Sequence, residues 1–282
     1  MSAGGLRVII SPAKKMIEGT ESFAVRGVPA FPEKTARLLE VLSQMDAGEL
    51  QGLWKVSDRL LGPCLETLGR LKGHGIPVDE DDLADPAISG RVSPAIFSYV
   101  GLQYQSMAPA VMDEAALVWI HDHLRVLSGF YGCVRPFDAV LPYRLEMGAH
   151  LAVDGAADLY AYWGASIAAA VCEPLDGAPV TQVVNLASAE YSRAVLPHLA
   201  PGVQATTCIF GELIRNGKPV QRATASKTAR GSMVRWMAER GVEDASELEA
   251  FDVGYRLAPG LSAYRTDGSA ETLVFMHEGA GA

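Results

Sequence analysis

Ser11-Pro12-Ala13-Lys14-Lys15 follows directly on the apolar run Leu6-Arg7-Val8-Ile9-Ile10. If that run is a strand, the two lysines stand at its carboxyl end, where open α/β sheets place ligands, and they suit an anion. No glycine-rich loop surrounds them, so nothing marks a nucleoside triphosphate site, and a solvated loop stopped by proline accounts for the same residues. A second group spans Leu127 to Asp138 and Pro142 to Gly148, with Tyr131, Arg135, Arg144 and Glu146 as its polar members. In an extended Tyr143–Met147 segment, Arg144 and Glu146 share one face while Tyr143, Leu145 and Met147 take the other. Arg144 then either grips phosphate or carboxylate in a two-pronged contact, with Glu146 as orienter or acid/base, or the two simply neutralise each other.

Asn185-Leu186-Ala187-Ser188-Ala189-Glu190-Tyr191 reads as a strand end entering a helix. Ser188 suits the N-cap there, and the free N–H groups of the first turn either receive an anion or are satisfied without one. Ser226-Lys227-Thr228-Ala229-Arg230-Gly231 opens a basic helix. Arg230 falls three and seven residues before Met233 and Met237, on the buried line, so its guanidinium needs an acceptor, either Glu146 or an incoming phosphate, unless it snorkels to water. Around Leu53 to Leu60 two short helices have the layout of a helix-hairpin-helix. Such a hairpin grips a DNA backbone with helix-start N–H groups, and Lys55 and Arg59 would add charge. An ordinary packed helical pair is the commoner source of such spacing, since αα-hairpins abound in folds without DNA contacts. Cys133, near Arg135, is either an oxidant-sensing thiol or a small buried one. His121 and His123 point apart on a helix, which disfavours a shared metal, so no metal and no cofactor is expected.

The elements that must carry these residues read as a mixture. Strands are expected at Leu6–Ile10, Ala95–Val100, Arg125–Tyr131, Gln182–Leu186 and Ala205–Phe210. Helices are expected around Leu38–Leu42, from the Asp46 cap through Trp54, from Ser57 or Asp58 through Leu71, and over Asp113–His123, Asp158–Cys172, Ser188–Val195 and Lys227–Arg240. Asn216-Gly217 and Asp267-Gly268 mark hairpin turns, and Gly73–Gly90 reads as an acidic surface loop. The fold class expected is α/β in the mixed α+β sense: one compact domain over residues 1–282, a mixed sheet covered by helices, and the helical pair within 33–71 near the N-terminus.

The chain has 282 residues, 49% hydrophobic and 20% charged, with a formal net charge of −9. That balance is ordinary for a globular protein and argues against indiscriminate coating of nucleic acid. The charge is unevenly spread, however. Between Leu213 and Arg240 stand Arg215, Lys218, Arg222, Lys227, Arg230, Arg235 and Arg240 against Glu239 alone. No apolar run reaches the roughly 20 residues needed to span a bilayer, and Met1–Gly5 lacks the basic start of a secretory signal, so no membrane partner and no export are expected. Four scattered cysteines suit a reducing cytoplasm.

The chain resembles the YaaA peroxide-stress family of bacterial cytoplasmic proteins. The resemblance rests on Ile10–Lys14, Val56–Leu60, Tyr99-Val100-Gly101-Leu102-Gln103-Tyr104, Leu127–Asp138 with Pro142–Gly148, Leu159–Gly164, Asn185–Tyr191 and Lys227–Gly231, in unchanged order along nearly the whole length. It implies a compact α/β protein that binds DNA through a helix-hairpin-helix and a positive cleft. It also implies protection of DNA from hydrogen peroxide by limiting free iron and Fenton damage. Carried over by position, it puts Lys14, Arg135, Arg144, Lys227 and Arg230 in the cleft and Val56–Arg59 at the hairpin. Thr228 departs from the family pattern, which often has a second lysine there, and the hairpin has no glycine. The leading expectation is a DNA-binding stress protein that reads double-stranded backbone, not base sequence. The alternative is an enzyme for a nucleotide-like anion, with Glu146 or Glu190 as acid/base, Arg144 and Lys227 as clamps, and Tyr131 stacked on a base.

Overall fold

In the computed structural model, which describes residues 5–18, 23–174 and 177–279, the run Leu6–Ile10 lies at the centre of an eight-stranded sheet. The sheet is built from β1 (Gly5–Ile10), β2 (Leu124–Ser128), β3 (Gly132–Val134), β4 (Val180–Asn185), β5 (Gln204–Gly211), β6 (Tyr255–Leu257), β7 (Ala263–Tyr264) and β8 (Ala270–His277). Its order is β6-β8-β5-β4-β1-β2-β3, with β7 also paired to β8. The five inner strands run parallel, while β3, β6 and β7 pair antiparallel at the margins. Both faces of the central strands are covered, which is why they read as continuous apolar runs instead of alternating ones.

The chain leaves β1 to one side, through β2 and β3, and returns on the other side as β4. The gap between the carboxyl ends of β1 and β4 is therefore the switch point of the sheet, where α/β proteins form ligand crevices. Two arginines inside the core reinforce this frame. Arg7 donates to the Glu173 carbonyl at 2.8 Å, and Arg125 donates to the carbonyls of Leu124 (2.8 Å), His121 and Asp122 (both 3.3 Å). Each thus sits at the carboxyl end of a helix, where its charge opposes the helix dipole and its N–H groups satisfy orphan carbonyls.

Helices α1 (Pro32–Gln44), α2 (Ala47–Trp54) and α3 (Asp58–His74) form the helical region after β1. Asp46 starts α2 through a capping box with Glu49, as its spacing predicts. α4 (Leu102–Met107) and α5 (Glu114–His123) lead into β2, and Asp113 caps α5 through the Ala116 N–H. α6 (Leu159–Trp163), α7 (Ser166–Val171) and α8 (Ala189–Ser192) flank β4, and α9 (Ala223–Arg240) packs along α4. Asn216 and Gly217, both at positive φ, close the expected hairpin between Leu213–Arg215 and Lys218–Val220. Among the described residues no helix is long and apolar enough to cross a membrane.

Four expected elements differ. Gly73–Gly90, expected as a loop, carries two short helical turns, Asp81–Ala84 and Pro86–Ser89, the second capped by Asp85. Ala95–Ser98 is a helical turn and only Tyr99–Val100 is extended, because a short apolar run fits a buried turn as well as a strand. The helix expected over Asp158–Cys172 is two helices, α6 and α7, parted at Gly164, whose φ of 50° leaves the helical region. Arg125–Tyr131 is a strand only through Ser128; the chain then turns to form the β2–β3 hairpin. The residues read for a secretory signal lie mostly outside the described ones.

Candidate functional site

At the switch point, Ser11 follows β1 and Ser188 follows β4, and the two ends are tied together. The Ser188 N–H donates to Ser11 Oγ at 2.9 Å, and the two hydroxyls lie 3.2 Å apart. Over this seam opens a cleft of about 560 Å³. Lys14, Lys15, Arg144, Lys227 and Arg230 supply five cationic side chains to its wall, and Glu146 and Glu190 supply two carboxylates. Val100, Leu102, Leu145, Tyr104, Tyr143 and Tyr191 complete an apolar and aromatic lining.

Each wall segment is held by packing that leaves little freedom. The Tyr143–Met147 segment is irregular, not a strand, yet it keeps the expected alternation: Tyr143, Leu145 and Met147 are buried, and Arg144 and Glu146 are half-buried facing the cleft. It lies against Gly129, where a Cβ would come within 2.7 Å of the Leu145 carbonyl oxygen and 2.9 Å of the Met147 nitrogen. Only glycine allows that approach. Beneath it, Ser128 Oγ donates to the Tyr143 hydroxyl at 2.7 Å, and the Tyr99 hydroxyl meets the same oxygen at 3.1 Å. Burial pushes the Tyr99 and Tyr143 hydroxyls up, so they remain neutral structural hydrogen-bonders. On the opposite wall, Tyr104 donates to the Ser11 carbonyl at 3.0 Å, and Gln103 reaches the same oxygen at 3.4 Å. Gly231 lets α9 approach α4 so closely that a Cβ would lie 2.0 Å from the Gln103 carbonyl oxygen.

The charges are not evenly matched. Glu146 is shared between Arg144, at 3.0 Å, and Lys14, at 3.4 Å. Glu190 accepts the Gly148 N–H at 2.9 Å. Arg230 has no acceptor among the described residues, and its Nε is buried without a partner. Burial lowers the pKa of this guanidinium, since removal from water penalises a charge that nothing compensates. The acceptor expected for Arg230 is not Glu146, which the other two cations occupy. The Arg144 Nε is likewise buried and unbonded.

Of the residues singled out in the sequence, the structure brings Lys14, Arg144, Glu146, Ser188, Glu190, Lys227 and Arg230 to this one cleft. It places the others elsewhere. Tyr131 is buried, and its hydroxyl both donates to the Leu141 carbonyl and accepts the Leu141 N–H, so it cannot stack on a base. Asn185 is buried and spans the sheet end, with Nδ2 on Thr207 and Oδ1 accepting the Ala187 N–H. Arg135 stands at the β3 margin of the sheet, paired with Glu173 at 2.7 Å, outside the cleft lining. Ser188 occupies the N-cap position of α8 but makes no side-chain cap bond; its groups engage Ser11 instead.

Lys55 and Arg59 are exposed on the turn between α2 and α3 and do not line the cleft. Lys55 itself takes the left-handed φ of 50° at that turn, a conformation usually given to glycine. The same helix α3 carries Cys64, which is within electrostatic reach of Arg144 and Glu146.

The lining residues that residue-type reasoning missed are Leu102, Gln103, Tyr104, Tyr143 and Tyr191. Their signal was present only as the Tyr99–Tyr104 string and the aromatic next to Arg144, and aromatic residues of this kind are more often core than site.

Cys133 and Cys208 are buried and their thiols are pushed up to about 12 by loss of solvation. Thiolate is the reactive form, so both should be inert in the folded protein. Titration with a thiol reagent at pH 8 should therefore label no more than Cys64 and Cys172 before denaturant is added, and all four afterwards. Rapid labelling of Cys133 in the native state would restore a redox role. Among the described residues no three of His, Cys, Asp or Glu converge to hold a metal ion.

A family model described as peroxide stress protein YaaA matches residues 6–261. The UPF0246 protein of Pediococcus pentosaceus is 42% identical over 273 residues, covering 96% of this chain and 98% of its own. That of Lachnoclostridium phytofermentans is 38% identical over 88% of this chain and 89% of its own, and that of Desulfitobacterium hafniense 37% identical over 93% and 96%. The matched span takes in every wall of the cleft, from Ser11 to Arg230, and the chain belongs to the peroxide stress protein YaaA family, whose relatives here carry the name UPF0246.

Proposed function

We propose that this peroxide-stress protein binds DNA along its backbone, with the cleft as the phosphate-holding centre, and thereby helps limit iron-dependent oxidative damage to the DNA it covers. One observation carries the reading: half-buried Arg230 lines the cleft with its Nε buried and, like Lys227 beside it, has no acceptor among the described residues. A desolvated charge without a partner is costly, and an anionic ligand is what relieves it. The uneven distribution of charge in an acidic chain supports the same conclusion, because a local cluster of cations is what displaces counterions from DNA.

Lys55 and Arg59 are exposed at the turn between α2 and α3, and as backbone contacts they would add to those of the cleft. The test is the anisotropy of a labelled 20-base-pair duplex against salt. With three or four phosphates neutralised, the logarithm of the affinity should fall with the logarithm of salt at a slope of about −3. Affinity should also be insensitive to base sequence. No measurable binding at low ionic strength would remove the proposal, and with it the expected slowing of plasmid nicking by ferrous iron and peroxide.

A second reading, an enzyme acting on a small nucleotide-like anion, is favoured by the small-molecule size of the cleft and by its two carboxylates. Glu146 and Glu190 would be its acid/base residues, with Arg144 and Lys227 as clamps. Tyr131 has no part in it. A rise of several degrees in melting temperature with one free nucleotide, but not with duplex DNA, would favour this reading over the first.

A further inference from the structure

The cleft is built for more than a phosphate. A B-form duplex, whose minor and major grooves alone stand about 6 and 12 Å across, does not fit inside a space of about 560 Å³. A stacked duplex could therefore only rest over the opening. The volume instead falls in the range of about 300–1,000 Å³ that small-molecule sites occupy. The lining is also mixed: Arg230 and Lys227 on one wall, Val100, Leu145 and the tyrosines on others, and Glu146 and Glu190 among them. Carboxylates repel a phosphate but accept hydrogen bonds from the N–H groups of a base or the hydroxyl of a sugar. Apolar and aromatic walls contribute nothing to a bare phosphate, whereas they do shelter a base taken out of its stack.

At the rim stands Leu102, the first residue of α4, 40% exposed although large and apolar. Proteins that unstack DNA insert apolar side chains of this kind into the opened step.

We propose that the cleft receives one nucleotide turned out of the DNA stack, its phosphate on Arg230 and Lys227, its base and sugar against the apolar wall and the two carboxylates, with Leu102 occupying the vacated step. The proposal rests on the DNA-binding reading and adds to it the identity of what enters. It predicts that a weakened site in the duplex binds best, because part of the unstacking is already done there.

The experiment uses the full-length chain and three duplexes of one sequence carrying 2-aminopurine: paired, mismatched, and opposite an abasic position. Anisotropy reads binding, and 2-aminopurine fluorescence reads unstacking. The mismatched and abasic duplexes should bind about tenfold or more tighter than the paired one, with a several-fold rise in fluorescence on binding. Leu102→Ala, at an exposed position, should lose most of that rise. Free deoxynucleoside monophosphates, tested as competitors, separate a nucleotide within DNA from one in solution: weak competition at millimolar concentration fits the proposal. Equal affinity for all three duplexes with unchanged fluorescence would overturn it and leave backbone binding standing. Absence of binding to every duplex would overturn both, as would tight binding of a free nucleotide without any binding of DNA.

Discussion

Gly231→Ala is expected to destabilise the protein by about 3 kcal/mol or more, at the upper end of what overpacking costs. In an exposed helix the same change would stabilise by up to about 1 kcal/mol, because glycine gives up more backbone freedom on folding than alanine does. The sign reverses here because the new Cβ would lie 2.0 Å from the Gln103 carbonyl oxygen, 2.9 Å from its carbon and 3.0 Å from the Met107 nitrogen. All three are main-chain atoms of α4, so no rotamer change relieves the clash; α4 and α9 must move apart. Those two helices together carry Gln103, Tyr104, Lys227 and Arg230 to the cleft wall. The variant should therefore lose ligand affinity as well as stability. Gly69→Ala in α3, where a Cβ meets nothing within 4 Å, provides the control of opposite sign. Urea midpoints of the two variants check the pair, and equal shifts in one direction would contradict the close packing of α9 on α4.

Glycines also explain much of what residue types did and did not disclose about the fold. Local rules read well where the determinant is local: the Asp46 capping box, the Asp113 cap and the Asn216-Gly217 turn each involve contacts within a few residues. The break between α6 and α7 did not show, because Tyr160, Trp163, Ile167 and Val171 keep helical spacing across Gly164 while the backbone turns there. Gly129 and Gly231 were visible as parts of motifs, but their roles depend on partners 16 and more residues away in sequence. The same distinction divides the candidate site. Lys14 and Ser188 follow the ends of β1 and β4, which meet at the switch point, so topology converts sequence order into proximity there, whereas Arg144, in an irregular segment, and Arg230, inside α9, are brought in by packing. Arg135 was misplaced because its carboxylate partner, Glu173, comes from α7's far end, and Tyr131 because nothing local reveals that Leu141 satisfies its hydroxyl twice.

The charge left uncompensated at Arg230 leads to the sharpest functional expectation: Arg230→Met should make the protein more stable and a poorer DNA binder at once. Methionine matches the unbranched stem of arginine and suits the buried line of Met233 and Met237 on α9. Without the guanidinium, the folded state no longer holds a partly desolvated cation whose buried Nε has no acceptor among the described residues. Replacing buried charge by apolar side chains of similar volume stabilises by about 1–4 kcal/mol where the charge is poorly compensated, and the melting temperature should rise by several degrees. Charge-assisted hydrogen bonds contribute about 1.5–3 kcal/mol each, so DNA affinity should fall by about tenfold to a hundredfold. The salt slope should also become shallower by about one. Lys227→Gln, at an exposed position on the same wall, should weaken binding less and leave stability unchanged, because its ammonium is already hydrated. The opposing directions at Arg230 are what separate a binding residue from a structural one. An arginine retained for folding would, on replacement, lower the melting temperature and leave the affinity where it was, and that pair of results would end the case for the cleft as an anion site.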